Sequence, residues 1–306
     1  MILRNMKPKK RYSMKTRGEK IVDVILLIVF ALITFGFLYP FVYILALSFN
    51  DAADAVQGGI YFFPRKFSIE SYKAVFKNDQ LLNAYGITIL RTLIGTFTSV
   101  LATGMFGYGL SKSKLMFRKV YFNLALATMF FSGGFIPMVI LIKNLHFTNN
   151  FLVYIIPSLI SVFNMLVMKS FFQSLPPSLE EAATVDGCND VQCFFRIVIP
   201  SSMPVISTIA LFNAVAQWNA WFDAYLYITD QKLIPLQTLL QRIINQNEAS
   251  QTMTALGMDA AMQSMAITPY SIQLATMVVS IGPIVLIYPF FQKYFVKGLM
   301  IGAVKE

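Results

Sequence analysis

Six long apolar stretches alternate with polar segments along the chain, at about residues 21–47, 84–110, 120–142, 151–172, 203–228 and 270–291. A bilayer's hydrocarbon core of ~30 Å takes about 20 apolar residues in a helix, so each stretch is long enough to cross it. Several contain Gly or Pro, which membrane helices tolerate because neighbouring groups satisfy the freed backbone. The third and fourth stretches are separated only by Lys143-Asn144-Leu145-His146 and Asn149-Asn150. The pattern predicts an all-α integral membrane protein with six transmembrane helices over residues 21–291. A basic segment, 1–20, precedes that domain and a short tail, 292–306, follows it. Two sizeable polar segments, 51–83 and 229–269, fall on one side of the membrane, and the loop 173–202 falls on the other.

Composition sharpens this reading. Hydrophobic residues make up 56% of the 306 and charged residues 13%, against roughly 25% charged in a soluble domain. There is too little polarity to clothe soluble cores, and too much apolar content for disorder. Two Cys and a single His146 exclude a disulfide framework and a histidine metal cluster. The formal charge of +10 is spread as a topology signal. Seventeen Lys and Arg lie on the side of the termini, seven lie on the other, and Arg91 falls within a span. Positive residues stay inside, so both termini are expected in the cytoplasm. Anionic lipid is a minor partner of the basic residues, and nucleic acid is not expected. The first apolar run is too long for the ~7–15-residue core of a secretion signal, and reads as a retained span.

The cytoplasmic loop carries the most specific pattern. Residues 176–200 read PPSLEEAATVDGCNDVQCFFRIVIP. Pro176-Pro177 stop the fourth span, and Ser178 with Glu181 three residues on forms a capping-box pattern that starts a short helix. Gly187 suits the left-handed position after a helix end. Asn189 or Asp190 caps a second short helix, which Pro200 closes before the fifth span. Ala182 and Ala183 offer a small-residue face for another backbone, and Glu180 and Glu181 offer carboxylates for a partner's Arg.

Glu181-Ala182-Ala183, Gly187 and Ile197-Val198-Ile199-Pro200, at this spacing, resemble the EAA loop of ABC-importer permeases, with Ile199 where Leu is usual. The resemblance covers most of the chain. It is nearest to carbohydrate-importer permeases of the maltose-permease type, in the LplC/YtcP-like oligosaccharide branch. Phe130-Phe131-Ser132-Gly133-Gly134-Phe135-Ile136-Pro137 and the tail from Gln292 to Ala303 carry it further. It implies a type I ABC-importer permease architecture in the bacterial plasma membrane. It also implies a heterodimer with a second homologous permease, two cytoplasmic ATPase subunits, and an extracellular or periplasmic sugar-binding protein. Glu180, Glu181, Ala182, Ala183, Gly187, Ile197 and Pro200 would then couple to the ATPases. The chain has no G-x-x-x-x-G-K-[ST] and no Gly-Lys dipeptide. No cofactor is therefore expected in this chain, and the ATP and Mg²⁺ belong on the partner ATPases.

Polar residues inside spans are costly and usually face an interior or cavity. Trp218, Trp221 and Tyr225 fall at i, i+3 and i+7, on one face of a continuous fifth helix, with Asn213 and Gln217 on an adjacent stripe. An aromatic face beside amides suits sugars, and an outer aromatic belt is the competing reading. Three roles fit Arg91: snorkelling, binding substrate hydroxyls, or pairing with Asp223 at comparable depth. The pairing is favoured. Gly95, Gly104, Gly107, Gly109, Gly133 and Gly134 allow close helix approach. The amphipathic stretch 236–244 either docks a delivery protein or lies on the membrane, and His146 reads as a solvated loop residue. An ion-coupled secondary carrier is the alternative function. It would be expected to show inverted repeats and buried acids, whereas only Asp23 and Asp223 lie near spans, both close to their ends.

Overall fold

The computed structural model describes residues 16–255 and 268–303. Those residues are helical throughout, apart from turns, loops and a single isolated bridge between Asn50 and Phe67. Most of the basic N-terminal segment lies outside them.

In chain order the helices are α1 (Arg17–Ser48), α2 (Ala52–Val56), α3 (Glu70–Phe76), α4 (Asp79–Ser111), α5 (Arg118–Phe130), α6 (Phe135–Asn144), α7 (Val162–Ser174), α8 (Pro177–Val185), α9 (Asp190–Cys193), α10 (Ile199–Ser201), α11 (Met203–Asn219), α12 (Phe222–Tyr227), α13 (Leu236–Ala255) and α14 (Pro269–Ala303). A π turn, Phe194–Val198, joins α9 to α10.

Three helices are long and apolar enough to cross a membrane on their own: α1, α4 and the stretch Pro269–Leu286 of α14. Thr16 starts α1 with a reciprocal capping box, its Oγ1 accepting from the Glu19 amide while its own amide donates to Glu19 Oε2. The most apolar window of α1 buries nothing within the chain. Its C-terminal half packs, Ala46 and Leu47 against Ala55, Ile60 and Leu274, and Phe35 and Tyr39 against the Phe62 ring. By contrast α4 is the central post, lying against both α7 and α11. Its Gly107 lets the α7 backbone approach closely: a Cβ there would sit 3.3 Å from the Met165 carbonyl oxygen.

The remaining apolar stretches are not the continuous helices that periodicity predicts. The third bends by 114° between α5 and α6, where Gly134 takes φ +88°. In the fourth, the helix occupies only the 13 residues of α7, behind a 3-10 turn Phe151–Tyr154 and irregular backbone around Pro157. Thirteen residues rise ~20 Å, less than a bilayer core. The fifth is broken at Ala220, whose ψ of 126° is extended. The sixth runs past its expected end, since α14 continues through Ala303 across the expected tail boundary.

Irregular backbone at membrane depth needs partners from the protein, and polar side chains supply them. Thr103 Oγ1 donates to the Leu159 carbonyl at 3.4 Å and accepts from the Ser161 amide at 3.3 Å. Gln217 Nε2 donates to the Tyr154 carbonyl at 3.3 Å and to Ser158 Oγ at 3.0 Å. Several in-span polar residues therefore complete the fold.

The loop after α1 closes on a buried carboxylate. Asp54 accepts from Arg65 Nε at 3.0 Å and from Asn50 Nδ2 at 2.9 Å, while Asn50 Oδ1 accepts the Lys66 amide at 2.8 Å. The Arg65 hydrogen bond, then that from Asn50, holds the Asp54 carboxyl below its ordinary 3.8. A lowered folded value means that the stabilisation is complete above 3.8 and fades as pH falls through the folded value. Amide-exchange protection at Asp51 and Lys66 is expected to persist at neutral pH and to drop in acid. In Asp54→Asn it should be weak at both.

Candidate coupling loop and transmembrane polar site

The loop after α7 folds as two short helices around a glycine elbow. Pro177 sits at the first turn of α8, where its missing N–H costs nothing, and Pro176 is the cap residue. Ser178 is therefore inside the helix, and the capping box expected from Ser178 and Glu181 does not form. The far end of α8 is a complete Schellman closure. The Cys188 amide donates to the Ala183 carbonyl at 2.9 Å and the Gly187 amide to the Thr184 carbonyl at 3.0 Å. Gly187 adopts φ +82° with nothing within 4 Å of a would-be Cβ. Asn189 caps α9 in a reciprocal box with Gln192.

Pro200 does not close the second helix. Helical backbone runs from Asp190 to Ser201 and turns by 87° only at Ser202. Pro200 has no N–H to give the i−4 carbonyl and its ring crowds that turn, and the wider π turn directly precedes α10. The elbow is welded to the spans by one apolar cluster in which Ala183, Cys193, Phe194 and Val198 meet Tyr108, Met168, Phe172 and Ile209. Ala183 is buried there, whereas Ala182 and Glu181 face outward. Ile197 packs at the cluster's edge. Glu180 is taken inside the chain by an ion pair with Lys112.

The polar site lies between α4, the Phe151–Tyr154 turn and the break that separates α11 from α12. Arg91, 1% exposed, is its hub. Its Nη2 donates to Asp223 Oδ2 at 2.6 Å and to Gln217 Oε1 at 3.1 Å. Its Nη1 donates to the Ala220 carbonyl at 3.2 Å, the group left open where α11 stops. Its guanidinium carbon lies 4.3 Å from the centre of the Tyr154 ring. Gly95 leaves room for Gln217, since a Cβ there would lie 2.7 Å from Gln217 Nε2. A cavity of ≈ 300 Å³ opens beside this hub, lined by Arg91, Tyr154, Ser158, Asn213, Gln217 and Asp223 among others.

Residues 11–301 match the family described as the binding-protein-dependent transport system inner membrane component. This chain belongs to that family. The polygalacturonan/rhamnogalacturonan transport system permease protein YtcP of Bacillus subtilis is 37% identical over 91% of this chain and 95% of its own. Protein LplC of the same organism is 40% identical over 87% of this chain and 88% of its own. Among solved structures, that of a bacterial ABC transporter importing the acidic polysaccharide alginate is 28% identical. It aligns with a TM-score of 0.83 over 92% of this chain and 99% of that one. The chain is thus a bacterial membrane component of an ABC importer with the permease fold, and an ion-coupled carrier is not favoured.

The transport component gathers some of the sequence-derived candidates and scatters others. Arg91, Asn213 and Gln217 share the cavity, and the Arg91–Asp223 pairing forms as expected. The aromatic face does not form, because the break at Ala220 rotates the residues beyond it. Trp218 turns away into a cluster with Val75, Leu81, Ala84, Leu236 and Ala275, its Nε1 donating to the Ser280 carbonyl. Trp221 and Tyr225 stay exposed and meet edge to face at 5.9 Å. Of the candidate glycines, Gly95, Gly104 and Gly107 meet other side chains or backbone, while Gly109 and Gly133 have nothing within 4 Å. His146 is exposed in its turn. Tyr154 and Ser158 line the cavity although neither stands out in sequence. Neighbouring Pro157, which breaks the helix there, is the one signal that could have found them.

Proposed function

We propose that this chain is one half of a heterodimeric permease through which an oligosaccharide enters a bacterial cell. Six spans, the third to fifth of them bent or partly irregular, place both termini and the elbow loop in the cytoplasm. A second homologous permease completes the path, and two cytoplasmic ATPases carrying ATP and Mg²⁺ supply the energy. An extracellular or periplasmic binding protein delivers the sugar. The observation that carries the reading is the elbow itself. The α8–Gly187–α9 unit is closed by its own hydrogen bonds, welded to the spans through Ala183, and presents Glu181 and Ala182 outward. That is the form of a handle gripped by another protein. Ala182, Gly187, Ile197 and Pro200 shape the handle, and Glu181 offers it a charge-assisted contact.

The cavity beside Arg91 supports a place on the sugar path for Asn213, Gln217 and Asp223, whose amides and carboxylate suit hydroxyl groups. Trp221 and Tyr225 lie exposed beyond the break, where a sugar's C–H face can stack. Arg91 acts there by holding the wall, since its charge is met by Asp223. Acidic oligosaccharides are the first substrates to test, given the polysaccharides for which YtcP and the alginate transporter are named.

In purified complexes, sugar-loaded delivery protein is expected to raise ATP hydrolysis at least about five-fold, within the usual range of coupling between sites. The chain alone in vesicles is expected to accumulate no sugar. Accumulation by the chain alone, without ATPases, would contradict the proposal.

A further inference from the structure

Glu180 and Glu181 are adjacent, yet α8 turns them to different sides. Glu181 faces outward, while Glu180 reaches back to Lys112, the residue that ends α4. Lys112 is held on three sides: by Glu180, by Asp190 at 3.9 Å at the start of α9, and by the Tyr108 ring 4.3 Å from its Nζ. Its side chain is 27% exposed and that of Glu180 32%. The α8 helix packs on α9 and the π turn, and the Lys112 bridge ties it directly to α4.

That helix is also the one that holds the polar site. Arg91 and Lys112 are separated by ~30 Å of uninterrupted α4, packed against α7 and α11 on the way. A push on α8 that reaches Lys112 therefore acts on a stiff rod, whose contacts further along include the break at Ala220. We propose that Lys112 and Glu180 form a strut that carries displacement of the elbow into α4, and through Arg91 to the break in the fifth span. The inference rests on the importer reading above and adds positioning residues to it. Glu181 meets the partner, and Glu180 passes the motion inward.

A partly exposed ion pair adds little to stability, so the variants are expected to fold. The test uses the assembled complex with a cysteine placed at Tyr225, Cys188 replaced by Ser, and a water-soluble maleimide as the probe. ATP with vanadate is expected to change the labelling rate of the wild-type pair about five-fold or more. Lys112→Glu places a third acid beside Glu180 and Asp190, and Glu180→Lys places two cations together. Each should abolish the nucleotide response while trapping nucleotide at wild-type levels. The double variant K112E/E180K re-forms the bridge with reversed polarity and should restore the response, and Lys112→Arg should keep it. A wild-type response in both single variants, or no recovery in the double, would overturn the strut. Failure of the wild-type complex to trap nucleotide would instead overturn the importer reading.

Discussion

Arg91→Met is expected to remove nearly all folded protein from detergent extracts, as read by fluorescence-detected size exclusion. The side chain is 1% exposed, and three acceptors lose their donor at once: the Asp223 carboxylate, Gln217 Oε1 and the Ala220 carbonyl. Breaking one side of a fully buried ion pair costs about 3–5 kcal/mol because the other charge stays behind; Asp223 is 29% exposed, so the cost here lies toward the lower end of that range. Methionine fills much of the volume, so packing loss is the smaller effect. Against a total stability of about 5–15 kcal/mol, the electrostatic loss decides the outcome. Asp223→Asn should be milder, since Gln217, the Ala220 carbonyl and the Tyr154 ring still hold the guanidinium. The charge swap Arg91→Asp with Asp223→Arg is expected to recover only part of the folded protein. A carboxylate at position 91 would face two acceptors, Gln217 Oε1 and the Ala220 carbonyl. Full recovery by the swap would show that the pair acts alone and that the break needs no cap.

Gly187→Trp is expected to leave the protein in the membrane at wild-type level while uptake falls about a hundred-fold, within the range of site-to-site coupling. The position has φ +82° and open space around it. An L-residue there costs roughly 1–2 kcal/mol of backbone strain, too little to unfold the chain. The indole would project from the elbow into the surface proposed to meet the ATPase. Glu181→Lys reverses the outward-facing charge without straining α8 and should uncouple in the same way. Normal uptake by either variant, in a strain lacking a substitute permease, would remove the elbow from the mechanism.

These two sites were unequally legible in the sequence. The elbow was readable because its parts are local. Gly187 after a helix end and Asn189 before the next need no tertiary information, and both take the predicted roles. The starting cap differs from the one the pattern predicts because Pro177 at the first turn outcompetes Ser178. The long apolar helices α1, α4 and α14 were visible from length alone. The break at Ala220 was not, since Ala220 and Trp221 carry no breaking signal, and the interruption depends on a guanidinium from α4 that takes the open carbonyl. Treating the fifth span as one helix put Trp218, Trp221 and Tyr225 on a common face. Arg91 and Asp223 were matched correctly because two charges at similar depth in a low-dielectric setting have few other partners.

The bond from Gln217 to the Tyr154 carbonyl also sets a schedule for biogenesis. Tyr154 leaves the ribosome 63 residues before its partner, roughly 3–13 s ahead at bacterial elongation rates. During that interval Ser158 Oγ, which donates to the Tyr154 carbonyl at 3.0 Å, can meet that carbonyl locally, while the Gln217 amide that joins both groups is still to come. The 3-10 turn and the irregular chain behind it therefore gain their full set of hydrogen bonds only once the fifth apolar stretch has been translated, so the middle of the chain is settled after its end has begun to arrive.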